Sequence, residues 1–201
     1  MTNNQEKVKR LVLMGLLTAI LLIMSYTPLG YLNIGPLAIT LNVIPVAVAA
    51  ISIGPAAGAV MGAVFGLTSF LQCIGVGGMS AMGAILFEID PLLAFIQRFL
   101  PRVLMGFLVG LVYKAISKKS KPKIACFVSG FCAAFFNTVL FMGALVLLFG
   151  NTEYVRDLMD GKNVIVFICT FVGINAVFEM VASTLITGAV GTALKKARLI
   201  K

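Results

Sequence analysis

Histidine and tryptophan are both absent from the 201 residues, and charge is scarce: seven Asp and Glu with sixteen Lys and Arg make 11% of the chain. Soluble domains carry about 25%, so an ordinary water-exposed domain is excluded. Without histidine there is neither an HExxH metalloprotease helix nor a Ser-His catalytic pair. The GxxxxGKS/T phosphate loop does not occur either, so the chain is not expected to hydrolyse ATP by itself. Cys73, Cys126, Cys132 and Cys169 sit in apolar stretches without CxxC spacing. That argues against a zinc site or a disulfide framework and predicts buried, inert thiols. No catalytic group, metal or cofactor is expected.

What is present is apolar sequence. Hydrophobic residues make up 60% of the chain, and no Asp, Glu, Lys or Arg lies among the 77 residues between Arg10 and Glu88. A run of that length can only be solvated by lipid. Length and composition together predict one all-α integral membrane domain over 1–201. Spans are expected at about 7–27, 41–53, 55–74, 92–117, 124–149 and 163–194. The first resembles a signal peptide, but no small-x-small cleavage site follows it, so it is read as a retained helix.

The stretch 41–74 could be one kinked helix or two, and charge parity decides. Lys114, Lys118, Lys119, Lys121 and Lys123 form a basic cluster that belongs on the same face as Lys7, Lys9 and Arg10. An even number of crossings must separate the two clusters, which makes Ser52-Ile53-Gly54-Pro55 a tight inside turn and the second span short. Six crossings then put both termini in the cytoplasm, with twelve of the sixteen Lys and Arg inside. The net charge of +9 is thus topological, and nucleic acid is not a partner.

Gly54, Gly58, Gly62 and Gly66 recur every four residues, with Gly106 and Gly110, and Gly15 and Ala19, repeating the pattern elsewhere. Such stripes let another helix approach closely. Ionisable residues at membrane depth must face a partner or a cavity, and Arg98, Arg102 and Glu179 are the ones concerned. Arg98 lies roughly 9 Å and Arg102 roughly 15 Å along a span that starts near Leu92, both on one face. Pro101 between them deprives the Gln97 carbonyl of its helical partner, which is tolerable only against protein or a cavity.

Glu179 is the natural partner of Arg102 at similar depth, as a structural ion pair. Arg98 is then available to an anionic ligand entering from outside, with Asn137 and Asn175 adding amide contacts. Interhelical bonding for the two Asn, and a loop contact with Glu88 or Asp90 for Arg98, are the plainer alternatives. The segments 28–40 and 75–91, which contain Tyr31, Asn33, Gly75, Gly77, Gly78 and Ser80, are candidate lid loops.

The six-helix plan, the segment Ile53-Gly54-Pro55-Ala56-Ala57-Gly58-Ala59 and the segment Leu100-Pro101-Arg102-Val103-Leu104-Met105-Gly106 resemble the substrate-binding S components of energy-coupling factor (ECF) transporters. The resemblance covers nearly the whole chain. It implies a multi-pass protein of a bacterial cell membrane that captures a vitamin from outside. It also implies partners, a transmembrane coupling protein and two ATPases. The family's AxxxA docking motif is matched here by a GxxxA variant, Gly15 to Ala19. The family's ligand region, in the outer half, corresponds to Tyr31, Asn33, Arg98, Asn137 and Asn175.

Glu88-Ile89-Asp90-Pro91-Leu92-Leu93 and Phe136-Asn137-Thr138-Val139-Leu140-Phe141-Met142 are most similar to the pantothenate branch. Another vitamin such as riboflavin, or a stand-alone secondary transporter, is the alternative. A carrier of that second kind would need an ion-coupling site and usually internal repeats; no convincing repeat is found, and only Glu179 could carry a coupling proton.

Overall fold

A computed structural model describes residues 3–27, 30–33, 38–118 and 120–197. Lys119, Arg198 and Lys201 of the basic clusters, and 28–29 and 34–37 of the first loop, lie outside the described residues. The elements are α1 (Asn3–Ser25), a hairpin of β1 (Tyr31–Asn33) and β2 (Ala38–Thr40), α2 (Val43–Ser52), α3 (Pro55–Leu71), α4 (Ala81–Ile89), α5 (Pro91–Ser117), α6 (Pro122–Phe149), α7 (Glu153–Met159) and α8 (Val164–Lys196).

All six expected helices form. Their starts follow local chemistry: Pro55, Pro91 and Pro122 each occupy the first turn of α3, α5 and α6, where the missing N–H costs nothing. Asp90 caps α5 by accepting from the Leu92 and Leu93 amides at 2.9 and 3.0 Å, and Asn163 caps α8 through the Val166 amide. The expected break inside 41–74 is real. Gly54 turns the chain at φ 130°, a conformation only glycine adopts without strain.

Among the described residues, five helices, α1, α3, α5, α6 and α8, are long and apolar enough to cross a bilayer. The second expected span differs from expectation. α2 has ten helical residues, about 15 Å of rise against a hydrocarbon core of about 30 Å. Every residue from Val43 to Ile51 is buried, because α2 is apolar on all sides and is wrapped by other helices. Leu17 and Leu21 of α1, Met61 and Phe65 of α3, Met105 and Val109 of α5 and Ala133 of α6 share its core cluster.

The segment 75–91, expected as a lid loop, contains α4, and the stretch 150–162 between the last two expected spans contains α7. Ser80 and Thr152 cap these helices by accepting the Gly83 and Val155 amides. Their apolar sides join Ala94, Met142, Leu145, Phe149 and Phe167 in a second core. The first loop holds strands as well, pairing Tyr31 with Thr40, Leu32 with Ile39 and Asn33 with Ala38. Three-residue strands leave too short an alternation to be read from sequence. Of the cysteines, Cys73 and Cys126 are buried and Cys132 half-buried, but Cys169 is exposed, so the expectation of buried thiols fails there.

The glycine stripe of α3 meets α5. A methyl on Gly58 would overlap the Gly106 carbonyl, one on Gly62 the Arg102 carbonyl, and one on Gly110 would come within 2.5 Å of the Pro55 Cα. Backbone therefore packs on backbone along this seam. Gly15 is different, with nothing within 4 Å, and it shares an exposed face of α1 with Ala19. Gly62→Ala should lower stability by about 1–3 kcal/mol in thermal unfolding of the detergent-solubilised protein, whereas Gly15→Ala should leave it unchanged or slightly raised. Equal effects at the two positions would refute the seam.

Candidate functional site

A cavity of about 600 Å³ opens where α1, α3 and α6 approach their C-terminal ends and α5 and α8 begin. The basic stretches at 7–10, 114–118, 120–123 and 195–196 lie at the other ends of α1, α5, α6 and α8. Five of the seven residues singled out from sequence for binding or the ion pair, Arg98, Arg102, Asn137, Asn175 and Glu179, line this one cavity. Each is at most 7% exposed. Tyr31 and Asn33 contribute backbone to β1, and their side chains lie outside the described residues.

Pro101 produces the expected orphan and Arg102 answers it. The Gln97 carbonyl, which a residue with an N–H at 101 would have satisfied, accepts Arg102 Nη1 at 3.2 Å. The same guanidinium lies 4.2 Å from the Phe141 ring centroid and 5.4 Å from that of Phe65, distances at which a desolvated cation–π contact is worth about 2 kcal/mol. Arg102 is thus a fixed part of the wall.

Arg98, one turn earlier, donates Nη1 to Ser69 Oγ at 3.5 Å and Nη2 to Ser80 Oγ at 3.2 Å. Asp90, an alternative partner considered from sequence, is engaged as the cap of α5. Arg98 also reaches Tyr154 of α7 electrostatically: burial pushes the Tyr154 hydroxyl pKa up, and the arginine's charge pulls it back down.

Glu179 accepts the Thr40 amide at 2.6 Å and has the Asn137 side chain as a hydrogen-bond partner and Arg102 as an electrostatic one. The Thr40 contact was not foreseeable, and it ties the hairpin to the middle of α8. Asn137 Oδ1 is buried with no hydrogen-bond partner among the described residues. Asn175 follows Gly173, whose backbone leaves the helical region at φ 4° and ψ −99° and kinks α8 beside the cavity.

Sequence reasoning missed Ser69, Phe65 and Phe141. A signal for Ser69 existed, because it falls seven residues after Gly62 and so shares the face that packs on α5. The glycine loop contributes Gly77, Gly78, Met79 and Ser80 to the lining. Gly77, at φ 75°, lies against the Tyr26 ring, where any Cβ would collide.

A helical membrane bundle enclosing a polar cavity with two buried arginines and one buried carboxylate is the layout of a solute-binding membrane protein. Comparison with known families specifies the class. The family described as ECF transporter, substrate-specific component, matches residues 9–191, and the chain belongs to it. This is a transporter family and not an enzyme family. The chain is 29% identical over 205 residues to a protein of Leuconostoc mesenteroides named pantothenate transporter PanT, covering 96% of this chain and 95% of that one. It is 27% identical over 207 residues to the pantothenic acid transporter PanT of Lactococcus lactis, covering 96% and 97%.

If Arg102 replaces the proline's missing amide, Arg102→Ala should destabilise the protein by about 1–3 kcal/mol. Adding Pro101→Ala, which restores an N–H to the Gln97 carbonyl, should recover part of that loss. A double variant no more stable than Arg102→Ala alone in denaturation would show that the carbonyl is not what Arg102 supports.

Proposed function

We propose that this chain is the substrate-capture subunit of an ECF-type vitamin importer, that its ligand is pantothenate, and that the cavity faces outside. The observation that carries this reading is Arg98, buried in the wall of a cavity whose volume of about 600 Å³ falls within the roughly 300–1,000 Å³ of small-molecule sites. Two arginines against one glutamate leave the lining with a net positive charge suited to a monoanion. Pantothenate, a carboxylate bearing amide and hydroxyl groups, fits that balance, and the names of both relatives support it. A flavin would need an open aromatic platform, whereas Phe65 and Phe141 lie against the arginines.

In this reading the chain crosses six times with both termini inside, α2 being a short crossing completed by the protein around it. The positive-inside distribution then puts the cavity in the outer half. Arg98, Asn137 and Asn175 contact the ligand, Tyr31 and Asn33 reach it from the hairpin, and Arg102 with Glu179 forms the structural pair. The module partners are a transmembrane coupling protein and two ATPases. The exposed face of α1 with Gly15 and Ala19 docks on the coupling protein, since small residues admit a close helix.

Calorimetric titration of the purified protein should show tight binding of pantothenate and weak binding of its uncharged alcohol, pantothenol. Arg98→Ala should weaken the acid by more than about 1.5 kcal/mol and leave the alcohol unaffected; unchanged acid affinity would remove Arg98 from the site. Uptake into vesicles should require the coupling protein, both ATPases and ATP. Gly15→Leu should abolish assembly with that module while preserving pantothenate binding. Uptake by the chain alone under a proton gradient would overturn the capture reading.

A further inference from the structure

The junction between the glycine loop and α4 has a chemistry of its own. Ser80 Oγ caps α4 by accepting the Gly83 amide at 3.3 Å and also accepts Arg98 Nη2 at 3.2 Å. A hydroxyl oxygen has two lone pairs, and both are occupied by these donors. Its hydrogen must therefore point away from both, and it meets no acceptor among the described residues. Ser80 lines the cavity, as do Ala81 and Met82 behind it. The amides of those two residues belong to the first turn of α4 and have no intrahelical acceptor.

The approach of Arg98 to this junction is built in by two small features. Gly83 leaves the space: a Cβ there would stand 2.9 Å from Arg98 Nη2 and 2.8 Å from Cys73 Sγ, so any other residue would push the guanidinium off Ser80. From the α3 side Ser69, 2% exposed, accepts the other terminal nitrogen at 3.5 Å. The arginine head is thereby held between two hydroxyls with its charge at the first turn of α4, and Ser80 offers a donor beside it.

We propose that Ser80 is a specificity-determining residue of this cavity, its hydroxyl hydrogen and the Arg98 guanidinium together holding the carboxylate of an acidic ligand at the N-terminus of α4. This rests on the capture reading above and adds an orientation to it. The acid end lies under the glycine loop, and the neutral polar end lies toward Asn137, which lines the same cavity. The residue that recognises the acid is also the cap of α4 and the end of the loop lining the cavity, so acid recognition and loop position share one atom.

The test is titration of the full-length detergent-solubilised protein, as wild type, Ser80→Ala and Ser80→Asp, with pantothenate and with pantothenol. Ser80→Ala should lose roughly fivefold or more for the acid and change little for the alcohol. Alanine also removes the α4 cap, and Ser80→Asp controls for this: aspartate caps equally well but sets its own carboxylate on Arg98. It should weaken the acid by roughly thirtyfold or more while the alcohol still binds, inverting the preference.

Parallel loss of both ligands, or acid affinity unaltered in both variants, overturns the role of Ser80. A wild type indifferent to pantothenate overturns the substrate reading instead, and the same variants are then titrated with nicotinate against nicotinamide and biotin against its amide. A preference for an acid that Ser80→Asp inverts upholds Ser80. Binding that ignores the acid group, or no binding of any of these acids, overturns it.

Discussion

The close backbone approach of α3 and α5 is the constraint on which the rest of the structure depends. Lipid supplies no hydrophobic drive between helices, so association rests on packing and on hydrogen bonds. Gly58 and Gly62 let α3 lie directly on the carbonyls of Gly106 and Arg102, and Gly66 brings it to the Phe99 backbone. Because the contact runs through main chain, it fixes the height of α5 against its neighbour to within a residue. Arg98 and Arg102 take their depth from that register. The seam also encloses α2, a helix too short to cross alone, whose apolar surface is covered on every side.

The three ionisable residues buried in the bundle, Arg98, Arg102 and Glu179, each have a polar partner there. Pro101 removes one backbone donor, and the neighbouring arginine replaces it at the Gln97 carbonyl. That same arginine lies over Phe141 and within the field of Glu179, so one side chain repairs the helix and closes the cavity wall. Arg98 is treated differently. Its head is held by two serine hydroxyls, one at the end of α3 and one at the start of α4, in the lining of the cavity. The two arginines share a helix face and a chemistry, yet the proline between them separates their roles.

Glu179 shows how the first loop enters the same arrangement. Its carboxylate accepts the Thr40 amide, which fastens the hairpin to α8 beside Asn137. The walls of the cavity thus come from distant parts of the chain joined by a few buried hydrogen bonds. α4 and α7 close the same end with a second apolar core, where Phe87 and Tyr154 pack around Met82, Leu86 and Val155.

The six expected helices, the turn at Gly54, the glycine stripe and the buried Arg98, Arg102 and Glu179 were legible in the sequence, because each is written in local composition or in a period of three to four residues. Lipid as solvent makes those signals strong, since an apolar run or an isolated charge has few alternative meanings there. The orphaned carbonyl at Gln97 was legible for the same reason, being a consequence of one proline four residues away. Tertiary structure alone decided which partner each polar group found. Thr40 and Glu179 are 139 residues apart, Arg98 meets serines on two other elements, and α2 is covered by helices from both halves of the chain. No local periodicity encodes such pairings; they follow from the register at which backbones come to rest, which exists only once the helices have packed.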